Sequence, residues 1–418
     1  MKKIYVIGFV ILSIFPVWKF YDHFSWAEIP LNEQVLTSEG IQSHSYLEET
    51  MKARAYLSTL PTKIDVPSVS VSVGINNKII WSQAVGYANI EEKEKATIQT
   101  RYRIGSTSKS LTATGIARLV HRNQLNLDDL VGRSIPNYPM KRWNFTTRQL
   151  LSHTAGIGHY QELRGYGAFI SICNCRTFET VTKSLNVFNN LQLQYEPGTN
   201  FKYSSFDMIL ASAVIEKRSK QSFLDFMDTE VFVPLNMSST EGDHSKPSVD
   251  HLATFYESKN SRFREWRTLN LVANDINLSY KWAGGGFLST PTDLVRLGNA
   301  WLNDTAFIAK DIRETFFTPQ QLKNGKINEQ NYALGWRSDK EYQSKNLFDG
   351  QKTVWAVHHG GVSQGAMNYL VLFPEYNLTI NGTINTNTPT FNVFASEVTK
   401  LANFFLIEID KKNVPPEN

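Results

Sequence analysis

Cysteine is almost absent: the 418 residues hold Cys173 and Cys175 alone. One residue apart, they form a loop that is hard to close with unstrained disulfide geometry, and two thiols are too few for a structural zinc site. Neither a stabilising disulfide nor a metal centre is expected. Long blocks of one charge are also missing. The chain carries 43 basic against 39 acidic residues, a formal net charge of +4, and their interspersion argues against a nucleic-acid surface. There is no glycine-rich phosphate loop, no internal repeat and no low-complexity run. What is left is the composition of a folded protein, 41% hydrophobic, 20% charged and 12% aromatic, which excludes wholesale disorder. The length suits two or three structural units, or one large domain with an insertion.

The first residues are the exception to this even texture. Lys2 and Lys3 precede an uncharged apolar run from Ile4 to Trp18, the pattern of an export signal. At ~1.5 Å per residue the run spans roughly 22 Å, short of a ~30 Å hydrocarbon core unless Phe20 and Tyr21 extend it while Lys19 snorkels. Residues 1–27 are therefore expected to be a signal peptide or a signal anchor. The charged stretch from Lys19 to Phe24, ahead of the small residues Ser25 and Ala27, favours the anchor. The mature chain is expected outside the cytoplasm, periplasmic or extracytoplasmic, and in contact with the inner membrane only through its N-terminus.

After a lead-in over residues 28–64, with a helix expected over 46–59 and ended by Pro61, the core is expected over 65–408. Val69, Val71 and Val73 alternate with serines, Asn76-Asn77 suits a tight turn, and Ile79 to Val85 returns as a second strand. Near the other end, Met367 to Phe373 and Leu378 to Asn385 read as strands around a turn at Pro374 to Asn377, followed by a helix carrying Val393, Phe394, Val398, Leu401 and Phe405. Between them lie helical stretches at 107–122, 147–152, 177–190 and 205–218. The expected fold is α/β of the α+β kind: one antiparallel sheet assembled from both chain ends, flanked by helices, with an all-helical lobe inserted at about 105–280 and a cleft between lobes as the site. Residues 409–418 are expected to be a disordered tail.

Three stretches carry chemistry. In RIGSTSKSLTATGIARL, Ser106 stands three residues before Lys109 at the start of a helix, which puts hydroxyl and amine on one face, close enough to share a proton. In EPGTNFKYSSF, Tyr203-Ser204-Ser205 precedes a helical run. In VWAVHHGGVSQG, a strand ending at Val357 meets His358-His359-Gly360-Gly361, where glycine lets a ligand approach the backbone.

In this order the stretches resemble the three signature boxes of the penicillin-binding, serine β-lactamase-like hydrolases: Ser-x-x-Lys, Tyr-x-Asn and Lys-Thr-Gly. LLSHTAGI at 150–157, AGGGFLSTPTDLVRL at 283–297 and the His-x-Gly-Gly form of the third box resemble the class C, esterase and peptidase branch. The run TTRQLLSHTAGIGHY is similar to the mitochondrial serine β-lactamase-like members. The resemblance implies a β-lactamase/transpeptidase-like fold in which Ser106 is acylated, Lys109 eases removal of its proton, and Tyr203 relays that proton to the leaving group. It implies an oxyanion hole from the backbone N–H groups of Ser106 and Gly361, substrate contacts from Ser205, His358 and Gly360, and no metal or organic cofactor.

Two positions depart from the pattern. Ser205 stands where the second box has asparagine and His358 where the third has lysine, so both amide orientation and carboxylate attraction are weakened. A neutral His358 offers no fixed charge, and substrates without a nearby carboxylate are expected to be preferred over penicillins. No Glu-x-x-Leu-Asn segment of the class A type is present. His153, at a helix end, is expected to hydrogen-bond backbone, His359 to be structural or exposed, and Gly284 to Gly286 to permit a tight strand entry. The reading is a serine hydrolase acting on a small peptide or ester, with peptidase first. A carboxylesterase, a weak β-lactamase or a D-alanyl carboxypeptidase is the alternative, and an idle sensor or scaffold is the rival from another class.

Overall fold

The computed structural model describes residues 26–28, 40–135, 138–244, 248–265 and 276–413. The expected signal or anchor lies almost wholly outside these residues, as does the end of the tail beyond Asn413. Among the described residues no helix is long and apolar enough to cross a membrane.

Helix α1 (Leu47–Leu57) leads into strands β1 (Ser68–Ile75) and β2 (Lys78–Asn89), joined through Asn76 and Asn77, both with positive φ, 49° and 63°. That left-handed pair is the turn chemistry that Asn-Asn supplies. Helices α2 (Ser108–His121), α3 (Ser205–Ser219) and α4 (Pro291–Asn303) follow, then strands β3 (Arg337–Tyr342), β4 (Val354–Ser363), β5 (Ala366–Phe373) and β6 (Leu378–Ile384), and helix α5 (Phe391–Asn413). The main sheet is antiparallel and eight-stranded, ordered β3-β4-β5-β6-β1-β2 with Ile41–Gln42 beyond β2 and Glu94–Lys95 also pairing with β2. Strands from the two chain ends thus meet between β6 and β1, as Ile380 opposite Val73 shows.

Both faces of this sheet are buried. Val69, Val71 and Val73 pack with Leu401, Phe405, Ala53 and Leu57 from the terminal helices. The alternating face of the same strand pair lies under α4, where Ser82 bonds Thr292 at 2.8 Å and a side chain on Gly74 would collide with Asn299. A second core joins α2, α3 and α4 to Val357, Leu370 and Leu372 of the sheet.

Several expectations are corrected. Helix α1 contributes to the sheet's core, so the folded unit begins before residue 65. Helix α5 continues to Asn413, with Asp410 accepting from Lys352 at 2.6 Å, so the tail is ordered over 409–413. The 105–280 lobe is mostly helical but includes a hairpin, Tyr256–Lys259 with Arg262–Glu265. The stretch 177–190 forms only short turns of helix, Val181–Ser184 and Leu185–Val187. Cys173 and Cys175 are joined in a disulfide. Asn174 caps the preceding helix in the left-handed conformation, φ 46°, which brings the two Cα atoms to 5.1 Å, inside the bridging range. Strand β4 does not stop at Val357 but runs through both histidines and both glycines to Ser363.

Candidate active site

Ser106 sits in a single 3-10 turn, Gly105–Thr107, that feeds directly into α2. Gly105 has φ 50°, and a side chain there would strike the backbone of Val362, so the nucleophile turn lies hard against β4. One turn into α2, Lys109 is fully buried and its Nζ lies 3.0 Å from Ser106 Oγ and 3.1 Å from Ser205 Oγ. It also donates to the carbonyl of Gly284, which gives the AGGG segment a direct role in holding the amine. Among the described residues no carboxylate pairs with Lys109, and its pKa is pushed down to about 7, by burial first and then by the charge of Arg337.

Tyr203 precedes α3, whose N-cap Ser204 accepts from Phe206 N–H at 3.2 Å and donates to Gly158 O at 2.7 Å. Fixing that cap fixes Tyr203 one residue upstream. Burial pushes its phenol up to about 12, partly offset by its hydrogen bond with Ser106. It therefore stands as a neutral O–H beside a serine hydroxyl that also bonds an amine.

Strand β4 supplies the other wall, and its alternation separates the two histidines. His358 lines a cavity of about 440 Å³ together with Ser106, Tyr203, Arg337, Gly360 and Phe391. Its Nδ1 is buried without a hydrogen-bond partner among the described residues, and burial followed by Arg337 lowers its pKa to about 3. His359 points the other way and is buried. Its Nδ1 lies 2.8 Å from Gly360 O, which fixes that nitrogen as donor, so Nε2 accepts from Tyr332 O–H at 2.9 Å. Of the two, it is the ring of His359 that stands near that of Tyr203, 6.3 Å between centroids.

Register also corrects the oxyanion hole. Ser363 and Ala366 close a two-residue hairpin, so they form a hydrogen-bonded pair, and alternation makes Gly361 opposite Asn368 another. The N–H of Gly361 is engaged by β5 and cannot face a substrate. Independently, Ser338 N–H bonds Asn331 O, away from β4, which makes Arg337 opposite His358 the pair that bonds across β3 and β4. Gly360 and Val362 accordingly turn their N–H groups to the edge left open where β3 ends. Val362 is the one beside Gly105 and Ser106. Gly361 serves the site by what it lacks. A Cβ there would lie 1.9 Å from Ile104 O and 2.9 Å from Ser106 N, so only glycine lets the nucleophile turn approach.

Sequence reasoning missed Arg337, which follows Gly335-Trp336 in a strand without distinguishing pattern. Its guanidinium lies 5.5 Å from the Tyr203 ring and 5.3 Å from the Tyr332 ring and donates to Gln330 at 2.7 Å; no carboxylate pairs with it among the described residues. The fixed positive charge that His358 lacks is thus present in the same cavity. Only the strand pairing brings it there. His153, expected to bond backbone, does so through its carbonyl, which accepts from Lys202 N–H at 2.9 Å, but its ring is also engaged, 2.8 Å from Asp207.

Residues 53–403 match the family model described as Beta-lactamase, and the chain belongs to that family of serine hydrolases. Among its relatives, the human mitochondrial serine β-lactamase-like protein LACTB is 28% identical, over 85% of this chain and 77% of its own. Penicillin-binding protein 4* of Bacillus subtilis is 28% identical over 62% of this chain and 56% of its own. The fold is shared with the octameric penicillin-binding protein homologue from Pyrococcus abyssi, at 21% identity and a TM-score of 0.67 over 85% of this chain and 77% of that one. It is also shared with EstCE1, a hydrolase with promiscuous acyltransferase activity, at 18% identity and a TM-score of 0.71 over 87% and 100%.

Proposed function

We propose that the protein is an exported serine hydrolase that forms an acyl-enzyme on Ser106, and that its substrates are small peptides bearing a free carboxylate near the scissile bond. The observation that carries the mechanism is the 3.0 Å contact between Ser106 Oγ and the buried Nζ of Lys109. A neutral amine accepts the Ser106 proton as Oγ attacks the carbonyl carbon. Negative charge builds on the carbonyl oxygen, where the N–H groups of Ser106 and Val362 meet it. Tyr203, a neutral phenol at the nucleophile, gives its proton to the departing nitrogen or oxygen and takes in its place the proton that Lys109 received from Ser106, so both groups end neutral. Water then attacks the ester and the same groups act in reverse. Arg337 supports the carboxylate preference, as an unpaired guanidinium offers bidentate donors to such a group. Ser205 and His358 complete the wall on either side.

Export is supported by the lysine-flanked apolar run of residues 4–18. A carboxylesterase acting through the same acyl-enzyme is the second reading, favoured by Ser205 in place of the amide-orienting asparagine.

The test is a fluorophosphonate probe followed by peptide mapping. One adduct per chain on Ser106 is expected, and none on Ser106→Ala of unchanged melting temperature. An adduct elsewhere, or none on folded protein, sinks the nucleophile assignment and favours a sensor. D- and L-peptides, p-nitrophenyl esters and β-lactams assayed side by side then rank the substrates.

A further inference from the structure

Behind Tyr203, on the side away from the cavity, lies a buried pair that the acyl-transfer steps above do not use. His153 follows the helix Thr147–Leu151, whose capping box is closed by Thr146 and Gln149, and adopts a left-handed backbone, φ 58°. A non-glycine residue in that conformation is held by its surroundings. Here the surroundings are the Tyr203 segment itself. The His153 carbonyl accepts from Lys202 N–H at 2.9 Å, Ser204 N–H approaches its Nδ1 at 3.4 Å, and its ring stands 4.5 Å from that of Tyr203 and 4.6 Å from that of Tyr332. One residue therefore grips the backbone on both sides of the tyrosine and packs against its ring. Asp207, on the first turn of α3, meets the same Nδ1 through Oδ2 at 2.8 Å. Both side chains are at most 1% exposed.

We infer that His153 and Asp207 are positioning residues that hold Tyr203 against Ser106, and that they do so as an uncharged pair in which Asp207 carries the shared proton. Nδ1 has a single in-plane site, which the 2.8 Å contact takes; the proton is assigned to the carboxyl from its surroundings, because both side chains are at most 1% exposed and Asp207 Oδ1 meets no donor among the described residues, so a carboxylate there would lack the hydrogen bonds that an ion needs. Burial acts in the same direction, raising the Asp207 pKa well above and lowering the His153 pKa well below their ordinary values. Lys109 and Arg337 oppose protonation of His153, as does His159, while Lys109 alone opposes protonation of Asp207; Tyr138, Tyr195 and Tyr332 are the remaining titratable neighbours that feel Asp207. Neutrality has a use, because an ionised Asp207 would draw a proton onto Lys109 and disarm it.

The inference rests on the Ser106 acyl-enzyme reading for its kinetic arm only. Asp207→Leu and His153→Phe are expected to lower the acylation rate by about 100-fold with KM within about threefold, the pattern of a misplaced proton-transfer group. Asp207→Asn, whose amide donates to Nδ1 in place of the carboxyl, restores the rate to within about threefold of wild type and leaves the acidic limb of the pH–rate profile in place. An Asn variant as slow as the Leu variant, or an acidic limb moved to lower pH, shows an ionised Asp207 and overturns the proposal. So does an unimpaired, folded His153→Phe. Should these variants fail to fold, long-range proton–nitrogen NMR on wild-type protein labelled at histidine decides the proton's place: His153 hydrogen on Nε2 is expected, and hydrogen on Nδ1 refutes it. That measurement needs no turnover, so it separates failure of this inference from failure of the Ser106 reading.

Discussion

The Arg337 guanidinium lies over the ring of Tyr203, 5.5 Å from its centroid, and carries a positive charge, unpaired among the described residues, into the cavity wall next to Ser106. Two consequences separate cleanly by experiment. Removing the charge in Arg337→Gln is expected to lower kcat/KM for carboxylate-bearing peptides by about tenfold, the effect of ~1–2 kcal/mol at a partly solvated site, while neutral esters change little. The same charge depresses the Lys109 pKa, so its loss moves the acidic limb of the pH–rate profile to higher pH for every substrate. Equal losses on neutral and anionic substrates would show that Arg337 acts only through Lys109.

Lys109 makes the second prediction. With its pKa near 7, the acylation rate should rise with pH through about 7 and level off above it, and Lys109→Ala should slow acylation by at least ~100-fold. Stability follows the same shift. The folded pKa lies below the unfolded value of about 10.4, so the unfolded chain binds more protons between these limits and stability rises with pH across them. The penalty for burying the amine is fully present below pH 7. Lys109→Met should therefore raise the melting temperature most at pH 6, with the gain shrinking towards pH 9.5. A gain independent of pH would mean that the folded protein does not depress this lysine.

Local pattern was enough for much of this molecule. The Asn76-Asn77 hairpin, the strand and turn around Pro374, helix α2 and the trio Ser106, Lys109 and Tyr203 could be read from short-range spacing or from resemblance, and the fold brings that trio together. What escaped depended on pairing between distant segments. Arg337 enters the cavity only because β3 lies beside β4 with Arg337 opposite His358. The His153–Asp207 contact joins residues 54 apart in sequence. The Cys173–Cys175 bridge turned on the left-handed conformation of one asparagine, which composition does not announce. In the sequence the two glycines of β4 look like a strand break, whereas in the fold Gly361 lets two backbones pack together at Ser106 and Gly360 leaves room for the Phe391 ring.

The same close packing of β4 on the nucleophile turn underlies the third prediction, which concerns Val362. If the oxyanion is bound by Ser106 N–H and Val362 N–H, proline at 362 deletes one donor without breaking a β4–β5 hydrogen bond, because that N–H faces the open edge and not β5, and it puts ring carbons on the side where Gly105 approaches. Proline is tolerated in a strand whose N–H is unpaired, and Val362 is 53% exposed, so Val362→Pro should fold with a melting temperature lowered less than that of Gly361→Ala. Its acylation rate should fall by ~100- to 1000-fold, the cost of removing an oxyanion-hole donor, while covalent labelling, if allowed long enough, still maps to Ser106. Gly361→Ala should behave differently, since its Cβ collides with Ile104 O and Ser106 N. There the loss of rate comes with a lower melting temperature, as the nucleophile turn is pushed off the sheet. A Val362→Pro enzyme of normal rate would remove Val362 from the oxyanion hole. Stopped-flow acylation with a chromogenic ester, read beside thermal melts of both variants, distinguishes a missing donor from a displaced backbone.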